Sequence, residues 1–278
     1  MQHSVDRAFV RTPQGLVHYR SGGGDVDGHG HPLPLYLAHS GPGSSLGLLP
    51  MLQTLSATRR TIAPDMLGNG DSEPHRLTAP QIADYADDAV AVLDALGIEQ
   101  VDFYGQHTGA QIGCELALRH PARVRRLVLD GLAIFPPEFK AELRTRYAPA
   151  VVPDAQGGQL MWAWNFVREL SLHFPHYRQD AAHRLPEAAV RPPAVLHEQA
   201  VELLKALPTY HLAYQAAFSH ATADRLPLLR HPTLLMGVEG DPLARYLEAA
   251  AGLLQQGRPI TVPRAQRADP VRRFLDEA

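Results

Sequence analysis

The chain has 278 residues, of which 45% are apolar and 20% charged, with 22 glycines and 24 prolines, a composition that excludes a disordered, collagen-like or coiled-coil architecture. Lys and Arg number 26 against 29 Asp and Glu, a formal net charge of −3, so no basic field is present to hold nucleic acid or an anionic membrane surface. No apolar run approaches the roughly 18 residues that span a bilayer, the amino terminus lacks the apolar core of a secretion signal, and the single cysteine, Cys114, fits a reducing, cytoplasmic setting.

In chain order, Ala8 to Arg11 and Leu16 to Tyr19 read as two strands joined at Pro13-Gln14-Gly15, an antiparallel hairpin. Leu33 to Ala38 reads as a buried strand, Leu46 to Ala57 as a helix and Thr61 to Ala63 as a strand. An amphipathic helix is expected over Thr78 to Leu96, closed by Gly97. Val101 to Tyr104 is a strand, Thr108 to Arg119 a helix, and Val124 to Leu129 a strand whose apolar end, Leu127-Val128-Leu129, suits a parallel sheet covered on both faces. From Phe135 to Asp224 the alternation stops, which marks 135–224 as a helical cap inserted into a core made of 1–134 and 225–278. The pattern resumes with a strand at Thr233 to Met236, a helix over Pro242 to Gln255, a strand at Ile260 to Val262 and a closing helix from Pro270 to Glu277. The sum is a three-layer α/β domain with a lid, in which ligands bind at the carboxyl ends of the strands.

Four motifs fall at those ends. His39-Ser40-Gly41-Pro42-Gly43 follows one strand, Pro64-Asp65-Met66-Leu67-Gly68-Asn69-Gly70-Asp71-Ser72 the next, Gly105-Gln106-His107-Thr108-Gly109 a third, and Val238-Glu239-Gly240-Asp241-Pro242 a fourth. Together they resemble the α/β-hydrolase fold superfamily over essentially the whole chain apart from the cap. The resemblance implies a mostly parallel sheet with an antiparallel amino-terminal hairpin. It also places the oxyanion loop at Gly41, the nucleophile elbow at Gly105 to Gly109 and the acid at Asp241. Two departures stand out. The elbow tip is His107 in place of serine, and the last histidine in the chain is His231, so no general base follows the final strand. Gln266 or Arg264 stands there instead, and the Ser-His-Asp mechanism is unavailable.

An imidazole titrates near neutrality, so His107 can serve as general base, general acid or nucleophile, or only orient a ligand. Asp241 is the carboxylate expected to pair with it, and the amides of Gly41 and Thr108 are the expected oxyanion donors. Gln106, His39, Ser40 and Asp130 are supporting candidates, His39 as a brace for its loop and Asp130 as a second carboxylate or a turn residue. Trp162, Trp164, Phe166 and Tyr177 pack the cap or line its pocket. Fifteen histidines are unusual, and His173, His176, His183, His197, His211 and His220 of the cap include candidates for a replacement base. His173 and His176 have near metal-ligand spacing, but Pro175 breaks the helix between them, and neither metal nor cofactor is expected. The expected ligand is a small apolar or aromatic carbonyl compound undergoing hydrolysis or lyase-type cleavage. A non-catalytic small-molecule receptor is the alternative, and self-association into a homodimer stays open.

Overall fold

A computed structural model describes residues 4–24 and 33–277. The reading of the amino terminus falls partly on residues 1–3, outside the described residues. Strands β1 (Val5–Arg11) and β2 (Leu16–Gly22) form the expected hairpin, closed by the Thr12 N–H donating to the Gly15 carbonyl at 2.9 Å. β3 (Leu35–Ala38) is buried throughout, and β4 (Thr61–Pro64) lies beside it; β3 starts two residues later than the apolar run suggests because Pro34 has no N–H to give the ladder. Between them a 3-10 turn at Ser45–Leu48 leads into α1 (Leu49–Leu55), so the helix expected from Leu46 is split where Pro50 opens a new first turn.

Helix α2 (Ile82–Ala95) begins four residues inside the expected Thr78 start. Pro80 disfavours helix before it, and Gln81 caps the first turn in an extended conformation, its side chain and that of Asp84 satisfying reciprocal backbone donors. Next come β5 (Val101–Gln106), α3 (Thr108–Arg119) and β6 (Val124–Asp130). Five helices then intervene, α4 (Pro137–Arg146), α5 (Gly158–Glu169), α6 (Pro193–Lys205), α7 (Tyr210–Ser219) and the short α8 (Thr222–Arg225). They bury a core of their own around Leu143, Ala163, Leu196, Leu203 and Tyr210.

The sheet resumes with β7 (Thr233–Val238), α9 (Leu247–Ala251), β8 (Gly257–Val262) and α10 (Ala268–Leu275). The single helix expected over Pro242 to Gln255 is a 3-10 turn at Pro242–Tyr246 followed by α9. The Asp241 carboxylate caps that turn at the Leu243 N–H, which sets the tighter register. β8 is longer than expected and runs through Pro259, which an edge strand tolerates.

The strand order is β1-β2-β4-β3-β5-β6-β7-β8, parallel from β4 to β8. One face packs on α1 and α10 through Leu52, Leu55 and Phe274; the other packs on α2, α3 and α9 through Ile82, Leu93, Leu116 and Ala250. The chain direction across the sheet reverses at β3 and β5, which leaves a crevice at their carboxyl ends. No helix among the described residues is long and apolar enough to cross a membrane.

Candidate active site

β5 ends at Gln106 and α3 begins at Thr108, so one residue makes the whole connection. That residue, His107, sits at φ 50 and ψ −108, the one non-glycine with positive φ among the described residues. Strain of this kind, on the order of 1–3 kcal/mol, persists only where the surroundings fix it. The flanking glycines supply the room. A Cβ on Gly105 would lie 2.1 Å from the Gly109 carbonyl oxygen, and one on Gly109 would lie 2.3 Å from that of Ala38, so α3 packs backbone to backbone against β5 and β3. The His107 N–H donates to the Asp130 carbonyl at 2.8 Å and locks the turn to β6.

From this tip the imidazole reaches Asp241 at the end of β7, with 2.7 Å between Nε2 and Oδ2. The other carboxylate oxygen accepts the Leu243 N–H at 2.8 Å. Asp241 is almost fully buried, and the partly exposed His107 ring lines the cavity. Burial alone would raise the pKa of Asp241, but the His107 charge and hydrogen bond outweigh it and bring the carboxyl down to about 2. For His107, burial works against the charged form, yet Asp241, by charge and hydrogen bond, and Asp130, by charge, raise its pKa above 6.5 despite the opposing charge of Arg267. Nδ1 makes no hydrogen bond among the described residues.

Asp130 does not join this pair through its side chain. Its Oδ2 accepts the Tyr104 hydroxyl at 2.5 Å and Arg267 Nη2 at 2.7 Å, and its Oδ1 is buried without a partner among the described residues. Arg267 and Arg264 line the cavity where the base after the last strand would stand, whereas Gln266 does not. Arg267 escaped the sequence reading because nothing local joins it to a strand end 137 positions away. Gly131 also escaped it. Its φ is +66, and a Cβ there would lie 2.3 Å from His107 Cδ2, so the imidazole occupies the volume a side chain would take. The signal was available as a lone glycine directly after a strand-end aspartate.

His39 braces the loop after β3. Its Nδ1 donates to the Ser40 carbonyl at 3.0 Å, and its Nε2 accepts the Met66 N–H at 2.9 Å, with burial lowering its pKa. Gly41 lies against the elbow, a Cβ there being 3.9 Å from Thr108 Oγ1, and its carbonyl accepts the Tyr214 hydroxyl at 3.1 Å. Ser40, Gln106 and Thr108 line the same cavity, which measures about 710 Å³. Its aromatic wall is Phe135, Tyr147, Phe174, Tyr214 and Phe218. Trp162, Trp164, Phe166 and Tyr177 are not part of that wall; they pack inside the insertion, Trp162 against Phe166 and Tyr210.

His173 and His176 do not converge on a cation. His173 Nδ1 bonds Glu169, and His176 Nε2 bonds the Tyr147 carbonyl. His18, Asp65 and Asp71 do converge among the described residues, but His18 already bonds Asp65, and Arg7 and Lys205 already pair with Asp71.

A family model described as alpha/beta hydrolase fold matches residues 34–268. The chain belongs to the α/β-hydrolase fold family. Among solved members, the enol-lactonase from Burkholderia xenovorans LB400 superposes with TM-score 0.71 at 20% identity over 97% of this chain and 100% of that one. Epoxide hydrolase A from Mycobacterium thermoresistibile gives 0.75 at 19% identity over 98% of each. At such identities the likeness concerns the fold. In sequence, the chain is 47% identical over 112 residues to 2-hydroxymuconate semialdehyde hydrolase of Pseudomonas sp. strain CF600, a match spanning 37% of this chain and only 38% of that relative. A provisionally named carbamate hydrolase, RutD, of Azorhizobium caulinodans is 31% identical over 85% of both chains. The relatives are thus named hydrolases of one fold family.

Proposed function

We propose that this chain is a cofactor-independent enzyme of the α/β-hydrolase family in which His107 and Asp241 form an acid-base dyad that replaces the Ser-His-Asp arrangement. The observation that carries the reading is the 2.7 Å pair at the tip of the strained elbow. With Nε2–H donated to Asp241, the neutral imidazole keeps its lone pair on Nδ1, the atom left without a protein partner. Such a base takes a proton from water or from a carbon next to a carbonyl. The amides of Gly41 and Thr108 are the donors for the oxyanion that either step creates; Thr108 opens α3, so its N–H has no acceptor within the helix. The helical insertion acts as a cap, its aromatic wall suiting an apolar or aromatic carbonyl compound. The hydrolase names of the relatives support catalysis.

Deuterium exchange at the α carbons of phenylacetone in D2O, followed by proton NMR, tests this. Wild-type protein should exchange them, and His107→Gln should bind the ketone yet exchange it at least a hundredfold more slowly. Binding without exchange by the wild type would mark a receptor and overturn the proposal.

A further inference from the structure

Of the six histidines in the helical insertion, His173 alone lines the cavity that holds His107. His176 is bonded to the Tyr147 carbonyl, His183 to Asp180, and His220 to Glu115 and Thr222. His173 is only 9% exposed, and its Nδ1 meets Glu169 Oε2 at 2.8 Å. Glu169, the last residue of α5, is itself buried and ion-paired through its other oxygen with Arg168. The main chain repeats the link, His173 N–H donating to the Glu169 carbonyl at 2.9 Å. The next turn is also tied, because Phe174 N–H donates to the His183 carbonyl and Leu185 N–H to the Leu172 carbonyl, both at 2.9 Å. The backbone that carries the ring is therefore tied on both sides, and Glu169 orients the ring itself, as a preorganised site requires. Its Nε2 has no hydrogen-bond partner among the described residues.

We propose that His173, oriented by the positioning residue Glu169, is a second catalytic acid-base group on the cap side of this cavity, and that the substrate is an enolisable ketone whose double bond lies one carbon beyond the acidic position. This rests on the acid-base reading of His107. His107 Nδ1 takes the proton from the carbon between the carbonyl and the alkene. The electron pair of that C–H bond becomes the new C=C of a dienolate, whose oxygen the Gly41 and Thr108 amides hold. His173, as the acid of this step, then gives its Nε2 proton to the far carbon of the dienolate, which restores C=O and leaves the double bond in conjugation. One proton leaves and one returns, and water carries the proton of His107 back to His173. With separate groups at the two carbons, delivery at the far carbon can be lost while exchange at the α carbon is kept, so two groups in one cavity have a distinct signature.

Allyl phenyl ketone reads that signature. In D2O, deuterium exchange at its α carbon reports His107, and conversion to propenyl phenyl ketone, with deuterium entering the new methyl group, reports delivery at the far carbon. His173→Gln should lower the isomerisation rate at least tenfold more than the exchange rate, and Glu169→Gln should do the same to a smaller degree. Exchange retained by each variant shows that the cavity is intact. Equal effects on both rates, or isomerisation at the wild-type rate in His173→Gln, would overturn the proposal while leaving His107 in place. A wild type that exchanges nothing would defeat the reading of His107, and this inference with it.

Discussion

Gly131→Ala tests whether the space around His107 creates the dyad. Gly131 sits at φ +66 with its N–H donated to the Met236 carbonyl at 2.8 Å, so the backbone between β6 and β7 cannot easily turn away. An added Cβ would lie 2.3 Å from His107 Cδ2 and 2.7 Å from Nε2, and restoring ordinary contact requires the ring to retreat by about 1 Å. A retreat of that size stretches the 2.7 Å bond to Asp241 past hydrogen-bond range. A left-handed alanine costs about 1–2 kcal/mol, and the lost charge-assisted bond about 1.5–3 kcal/mol. Together these lower Tm by about 4–9 °C. The ring itself gives the sharper readout. In the wild type Asp241 and Asp130 lift the His107 pKa above 6.5 against burial. In Gly131→Ala the main support is lost while burial remains, so the midpoint in a histidine-ring NMR titration, assigned with His107→Gln, should fall to 6.5 or below. An unchanged midpoint above 6.5 in a folded Gly131→Ala protein would refute the reasoning.

Other consequences follow from the same structure. Asp241→Asn should lower the His107 midpoint and slow turnover without unfolding the chain. In stability it removes a contribution of about 2 kcal/mol, from a carboxyl whose pKa drops from 3.8 to about 2. The sign is fixed on both sides: the depressed Asp241 contributes above pH 3.8 and loses its contribution as pH falls toward 2, while the raised His107 contributes below 6.5 and loses it as pH rises through its folded value. The wild type minus Asp241→Asn difference in urea unfolding should therefore be greatest between pH 3.8 and 6.5 and shrink above; a flat difference up to pH 9 (about three units above a free histidine) would contradict it. Gly109→Ala puts a Cβ 2.3 Å from a backbone oxygen and should cost more than about 4 kcal/mol or prevent folding, read from soluble yield and urea melts. Asp102→Ala strips the fully buried Arg59 of its 2.9 Å partner and Arg125 of its own, for a loss of about 3–5 kcal/mol in the same melts. Fluorophosphonate should leave residues 105–109 of the wild type unlabelled, and His107→Ser should not hydrolyse aryl acetates faster than the wild type; an adduct or a gain would reveal an overlooked base.

What the sequence made legible were features set locally or by one face. The strands β3, β5, β6 and β7 show through the apolar stretches Leu35 to Ala38, Phe103-Tyr104, Leu127 to Leu129 and Leu234 to Met236, whose two faces are covered, and the elbow shows because Gly105 and Gly109 bracket the three residues Gln106, His107 and Thr108. Asp241 drew attention because its strand and loop resemble the acid loop of the α/β-hydrolase fold. Boundaries set by three-dimensional constraints were not: Pro80 and the Gln81 cap move the start of α2, and the Asp241 cap tightens the turn before α9. The cavity wall was the least legible part. Large aromatic type drew attention to Trp162 and Trp164, but which face of a helix meets the cavity depends on packing within the insertion, and there Tyr147, Tyr214 and Phe218 face inward. Arg267 and Gly131 touch the site across sequence distances that no local pattern encodes.

The most direct test of the dyad is the pH dependence of phenylacetone α-exchange measured side by side in wild type and His107→Gln. A neutral imidazole acting as base makes the rate climb as pH rises through the His107 pKa, and that pKa is raised above 6.5 by Asp241. The limb should therefore lie on the alkaline side of 6.5, and it should vanish in His107→Gln with at least a hundredfold loss of rate, within the range general-base catalysis supplies. The same limb and rate in both proteins would contradict the account.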